Sequence, residues 1–84
     1  MNVMNTTEVQ SVVFYNDEFK KWTLEATVKW LLRHGYDPIK PVHRVYDGKR
    51  ISQYRYRINV PSKYKSFTTK DITNKNIHLI LGKL

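Results

Sequence analysis

Between Arg44 and Lys70 the chain interleaves basic and aromatic side chains: Arg44, Tyr46, Lys49, Arg50, Arg55, Arg57, Lys63, Tyr64, Lys65 and Lys70. Lysine and arginine neutralise phosphates, and the face of a tyrosine ring stacks on unpaired bases, so a surface carrying both is suited to nucleic acid. These side chains are the candidate nucleic-acid-binding residues. A plainer explanation competes: the tyrosines pack inward, the arginines form a solvated outer face, and the abundance of Lys, Asn, Ile and Tyr reflects an AT-rich genome. Arg55 and Arg57 tip the balance toward binding, because two arginines on one strand face concentrate charge more than solubility requires.

Catalytic chemistry finds little support. His34, His43 and His78 fall on different expected elements, with no carboxylate at helical spacing to complete a metal pair. The seven acidic residues are scattered, mostly in turns or on the helix surface, and no local pair suggests acid/base work. Gly35, Gly48 and Gly82 stand alone, which excludes phosphate-cradling glycine motifs, and no G-x-S-x-G is present. The chain is therefore expected to be non-enzymatic and to need no metal or other cofactor.

Positioning a basic-aromatic face requires a sheet, and the residue patterns supply one. Val9–Tyr15 is β-branched and aromatic and ends at the turn signal Asn16-Asp17. Thr23 can cap a helix of about Leu24 to His34. In it Leu24, Val28, Leu31 and Leu32 recur on one face, Arg33 and His34 suit the last turn, and Gly35 can take the left-handed closing conformation. Trp30 lies just outside that stripe and is expected to border the core; Trp22 is expected to clamp the start of the helix.

Asp47-Gly48 is a type I′ hairpin signal within 42–59. Parity places Tyr54, Tyr56 and Ile58 on one face and Gln53, Arg55 and Arg57 on the other. A two- or four-residue loop would put Arg44 and Tyr46 with the arginines, and His43 and Val45 with the tyrosines; a three-residue loop would swap them. After Pro61-Ser62, KSFTTKDIT and NIHLILG flank the turn-prone Asn74-Lys75 and can form a second hairpin, with Ile77, Leu79 and Leu81 in the core. The fold class expected is α+β, a single helix packed on a small curved, mostly antiparallel sheet in β-α-β-β-β-β order. Residues 1–8 are expected to be disordered and 9–84 to form one domain.

Three segments together, WLLRHGY (Trp30–Tyr36), YRYR (Tyr54–Arg57) and PSKYKSFTT (Pro61–Thr69), resemble a small module that recurs in bacteriophage and large DNA-virus proteins. Trp30, Leu31, His34, Gly35, Tyr36, Tyr54, Arg55, Tyr56, Arg57, Pro61, Ser62, Lys63, Tyr64 and Phe67 carry the likeness. It implies viral provenance and a virion- or genome-associated setting, without a mechanism. The Asp47-Gly48-Lys49-Arg50 turn is longer than the pattern, which leaves the 42–59 register open.

Composition bounds the rest. With 84 residues there is room for one core, and 40% hydrophobic and 13% aromatic residues suffice to fill it. No cysteine is present, so neither disulfides nor thiolate metal sites are possible. The net charge of +8 is uneven: residues 1–39 hold four basic against five acidic side chains, and residues 40–84 hold eleven against only Asp47 and Asp71. No segment reaches the roughly 20 apolar residues of a membrane span, and MNVMNTTEVQ lacks the pattern of a signal peptide, so a cytoplasmic or virion-associated protein is expected. The expected partners are nucleic acid, DNA or RNA, or an acidic protein surface. The alternative function is a virion structural component or a host-directed protein-binding inhibitor.

Overall fold

Its β-branched and aromatic residues suit TEVQSVVFY to a strand, and pairing along both edges makes it the central strand of the fold. In a computed structural model that describes residues 6–72 and 74–84, this strand, β1 (Thr7–Tyr15), is followed by α1 (Leu24–Arg33), β2 (His43–Asp47) and β3 (Arg50–Arg57). A 3-10 turn (Pro61–Lys63), β4 (Ser66–Ile72) and β5 (Ile77–Lys83) complete the chain. The five strands form one antiparallel sheet in the order β2-β3-β1-β5-β4, so each hairpin lies on one side of β1. The α+β architecture read from the sequence, one helix on an antiparallel sheet, is the architecture found. β1 starts two residues before Val9, with Thr7 paired to Lys83 and Glu8 to Gly82, so these residues of the segment expected to be disordered belong to the sheet. Residues 1–5 of that segment lie outside the described residues.

One face of the sheet carries Val12 and Phe14 from β1, Tyr54 and Tyr56 from β3, and Ile77 from β5, all buried under α1 with Leu31. Phe14, with no exposed surface, is the hub. Trp22, Trp30 and Tyr56 meet it edge-on at ring-centroid distances of 4.9, 5.5 and 5.8 Å, the geometry that aromatic quadrupoles favour.

The helix ends follow the sequence signals. Thr23 Oγ1 accepts the Ala26 amide at 3.1 Å, and Gly35 takes a φ of +76° after the C-cap His34. The buried stripe differs from the expected one. Leu31 is buried, but Leu32 is 73% exposed, and Leu24 and Val28 are also exposed. Thr27 takes the inward position instead, fully buried, with its hydroxyl 2.7 Å from the Leu24 carbonyl and 2.6 Å from the Tyr56 hydroxyl. Hydrophobic periodicity ranks a threonine as polar; here a phenol across the interface satisfies it, and the helix rotates to bring that pair together.

Two irregularities set the faces of the sheet. In β1, Gln10 is an extra residue between the Val9–Leu81 and Ser11–Ile80 pairs. Its carbonyl accepts the amides of Ile58 and Asn59, and its side chain donates to the Asn59 carbonyl, so the buried amide is satisfied. In the β2–β3 hairpin the loop residues are Gly48 and Lys49, one step later than read, since Asp47 pairs with Arg50. Gly48 has a φ of +64° and Lys49 has no positive φ, the pattern of a type II′ rather than a type I′ turn. Tyr46 then pairs with Ile51 but Val45 with Gln53, so Ser52 is bulged and parity shifts. A two-residue loop therefore delivers the faces expected of a three-residue one: His43 lies beside Arg55, and Arg44 beside Tyr54.

Gly82 serves a close approach. A Cβ there would lie 2.5 Å from Cδ1 and Cδ2 of Tyr64 and nearer still to Cγ. Tyr64, 8% exposed, lies flat on this glycine, meets Phe67 edge-on and donates its hydroxyl to Glu8 at 3.0 Å.

Candidate nucleic-acid interface

Because Tyr54 and Tyr56 turn toward the helix, strand alternation sends Gln53, Arg55 and Arg57 to the opposite face, as the sequence indicates. Among the described residues no α-helix covers that face; Tyr64, following the 3-10 turn, packs on its Gly82 end. The register assembles one row across all five strands: His43, Arg55, Val13, His78 and Asp71. The next row holds Arg57, Ser11, Ile80 and Thr69. Val13, only 2% exposed, sits in the first of these rows between the half-buried Arg55 and His78.

Arg55 and Arg57 are half-buried, and Arg55 donates to Gln53 Oε1 at 2.9 Å. Among the described residues neither has a carboxylate within ion-pair distance. Beside them the sheet edge opens into a concavity of about 260 Å³, lined by Lys40, Arg55, Arg57, His43, Gln10 and Ser11 among others. No Asp or Glu borders it. The 39–41 segment is pinned there by the Ile39 amide, which donates to the Arg57 carbonyl at 2.9 Å.

The acidic residues nearest this face are already engaged. Asp71 pairs with His78 Nε2 at 3.2 Å and accepts the Tyr15 hydroxyl at 3.3 Å. Glu8 accepts from Lys63 Nζ at 2.7 Å and from Tyr64, and these hydrogen bonds hold its carboxyl below the usual range. The same Glu8 bond raises the Lys63 ammonium, while partial burial raises the Tyr64 phenol. Partial burial also raises the phenol of Tyr15.

The ten candidates thus divide. Arg55 and Arg57 lie together on the open face. Arg44 and Tyr46 are exposed on the helix side of β2, separated from them by the bulge at Ser52. Lys49 and Arg50 sit at the hairpin tip, and Lys70, paired with Leu79, also points to the helix side. Lys65 is exposed at the bend before β4. Lys63 is spent on Glu8, and Tyr64 is a packing residue on Gly82, so its ring has no face free for a base. Sequence reasoning missed Lys40, His43, Gln10 and Ser11. Lys40 and Gln10 sit in irregular backbone, where periodicity carries no information, and the face of His43 depends on a hairpin register that the sequence leaves open.

Among the described residues no group of three or more His, Asp or Glu could hold a metal ion, and no helix is long and apolar enough to cross a membrane. No family model, curated protein or solved structure matches the chain.

Proposed function

We propose that the protein is a small non-enzymatic module that associates with nucleic acid by holding phosphates on the open face of its sheet, at Arg55, Arg57 and Lys40 with His43 beside them. The observation that carries this reading is the concavity bordered by these groups and by no carboxylate. Arginine forks match phosphate oxygens bidentately, and half-buried stems pre-order the two guanidinium groups, so less rotamer freedom is lost on binding. Since Tyr54 and Tyr56 are buried under the helix, base stacking there is unavailable and the contact should be largely indifferent to sequence. The setting we propose is the one the resemblance implies, a viral protein acting in the cytoplasm or the virion.

Titrating labelled single- and double-stranded DNA and RNA with the protein across a salt series tests this. With three full cations on the face, log K should fall with log salt at a slope of about −2 to −3. Absence of binding to every nucleic acid at low salt would refute the reading.

One observation favours a second reading, a protein-binding module. Leu24, Val28 and Leu32, at i, i+4 and i+8 on α1, form an exposed apolar stripe on the helix, the kind of surface that partner grooves take up. Leu32→Glu would then abolish capture of a protein partner while leaving salt-dependent nucleic-acid binding intact.

A further inference from the structure

On the helix side of the sheet, away from the arginine face, a second groove of about 490 Å³ runs between α1, the segment before it and the β4–β5 turn. Its walls are the half-buried Trp22 and Trp30, the only tryptophans in the chain. Both indoles are held rigidly: each meets the buried Phe14 edge-on, and Trp22 Nε1 donates to the Lys75 carbonyl at 3.1 Å. Ala26, one helical turn before Trp30, leaves open the space that a larger side chain would fill.

The aromatic surface extends outward from Trp30. The His34 ring stacks on it at a centroid distance of 3.9 Å and 18° from parallel, and Tyr36 lies 8° from parallel with it at 5.9 Å. His34 Nδ1 donates to the Trp30 carbonyl at 2.8 Å, which fixes the ring plane and turns Nε2 away from that bond. His34 is exposed, so the stack ends on a ring that a further planar group can meet.

Cations line the same groove. Lys20, whose Nζ stands 4.6 Å over the Trp22 ring, Arg33 and Lys75 border the groove, and no carboxylate does. Lys29 also borders it but is engaged by Glu25 at 3.1 Å. Three of the four basic side chains of the near-neutral residues 1–39, Lys20, Lys29 and Arg33, border the groove together with Lys75, while Glu25 lies outside it.

Rigid aromatic rings together with unpaired cations are the two things a nucleotide requires, a stacking surface for the base and positive charge for the phosphate. We propose that this groove binds a phosphate-bearing nucleobase, its ring extending the Trp30–His34 stack and its phosphate held by Lys20, Arg33 and Lys75. The volume falls within the roughly 300–1,000 Å³ of small-ligand sites. The site is independent of the sheet-face reading, since it lies on the other side of the sheet and shares no residue with it.

The two indole N–H signals of ¹⁵N-labelled protein give a direct readout, because both tryptophans line the groove. Adenosine monophosphate should shift both signals saturably with a Kd of about 1 mM or tighter, while adenosine or inorganic phosphate alone should bind at least about tenfold more weakly. A short oligoadenylate binding more tightly than the mononucleotide would identify the ligand as a single strand, and equal affinity a free nucleotide; either meets the proposal. Ala26→Leu should weaken the mononucleotide at least about tenfold, and Arg33→Gln, which changes only an exposed charge, should weaken it at least about threefold without affecting adenosine. Arg55→Gln with Arg57→Gln should change nothing here, which separates this site from the open face. Indole signals that stay fixed up to about 10 mM nucleotide would overturn the proposal, as would inorganic phosphate matching the mononucleotide.

Discussion

Gly82→Ala is the most informative single-methyl change in the fold. The added Cβ would fall within 2.5 Å of the Tyr64 ring, whereas ordinary contact begins near 3.4 Å, so the ring must move by about 1 Å or leave its site. Cγ, Cδ1 and Cδ2 are the clashing atoms, the base of the ring and not a flexible tip. If Tyr64 leaves, roughly 100 Å² of its apolar surface returns to water, a loss of about 2.5 kcal/mol at the usual area coefficient. Its hydroxyl also loses Glu8. Opposing this, alanine loses about 0.5–1 kcal/mol less backbone entropy than glycine in a strand, and Gly82 has no positive φ that would forbid it. The burial loss wins, and the net cost should be about 1.5–2 kcal/mol in a urea titration. In a Tyr64→Ala background the sign should reverse, since the clash is gone and only the entropy gain remains. A loss below about 0.5 kcal/mol in the wild type, or an equal loss in both backgrounds, would refute the close-approach role of this glycine.

Other changes test the core and its ion pairs. Leu31→Ala should cost about 2–4 kcal/mol and Leu32→Ala less than about 0.5, because only the first is buried; urea midpoints decide. Thr27→Val keeps the shape but strands the Tyr56 hydroxyl, so it should cost about 1–3 kcal/mol, much of it recovered when Tyr56→Phe is added. Glu8 and Asp17 titrate below their ordinary values in the fold, Glu8 through the Lys63 bond and Asp17 chiefly through Asn76. Their stabilising effect is thus present above the unfolded carboxylate pKa, about 4, and is lost as pH falls through the lower folded values. The phenols of Tyr56, Tyr64 and Tyr15 are raised, mainly by burial, so their contribution is present below about pH 10 and lost above it. Thermal melts should show a plateau between these limits, and Lys63→Met should flatten the acidic limb.

Local signals that agreed with one another were legible in the sequence. Thr23, Leu31 and Gly35 mark the start, buried face and end of α1, and strand alternation sends Tyr54 and Tyr56 inward and Arg55 and Arg57 outward. What was hidden depended on contacts between distant segments. Loop length leaves the faces of β2 open, and the bulge at Ser52, which only the pairing of β2 with β3 reveals, decides them. Thr27 is buried because Tyr56 meets it, a pairing 29 residues apart that hydropathy cannot show. Tyr64 read as a stacking residue, yet Gly82, a glycine with no turn or positive φ to mark it, receives its ring. The charge asymmetry indicated where cations are abundant. It did not show that Lys63 is spent on Glu8, or that Lys20, Arg33 and Lys75 gather beside the tryptophans.

The claim that Arg55 and Arg57 hold phosphates is tested most directly by the salt dependence of nucleic-acid binding in the wild type and in Arg55→Gln/Arg57→Gln, with circular dichroism confirming that both are folded. Glutamine keeps a long polar side chain while removing two charges, so the log-log slope should become shallower by about one to two units, and affinity should fall about equally for different sequences. An unchanged slope in the double variant would contradict the assignment and place the phosphate contacts on another surface of the protein.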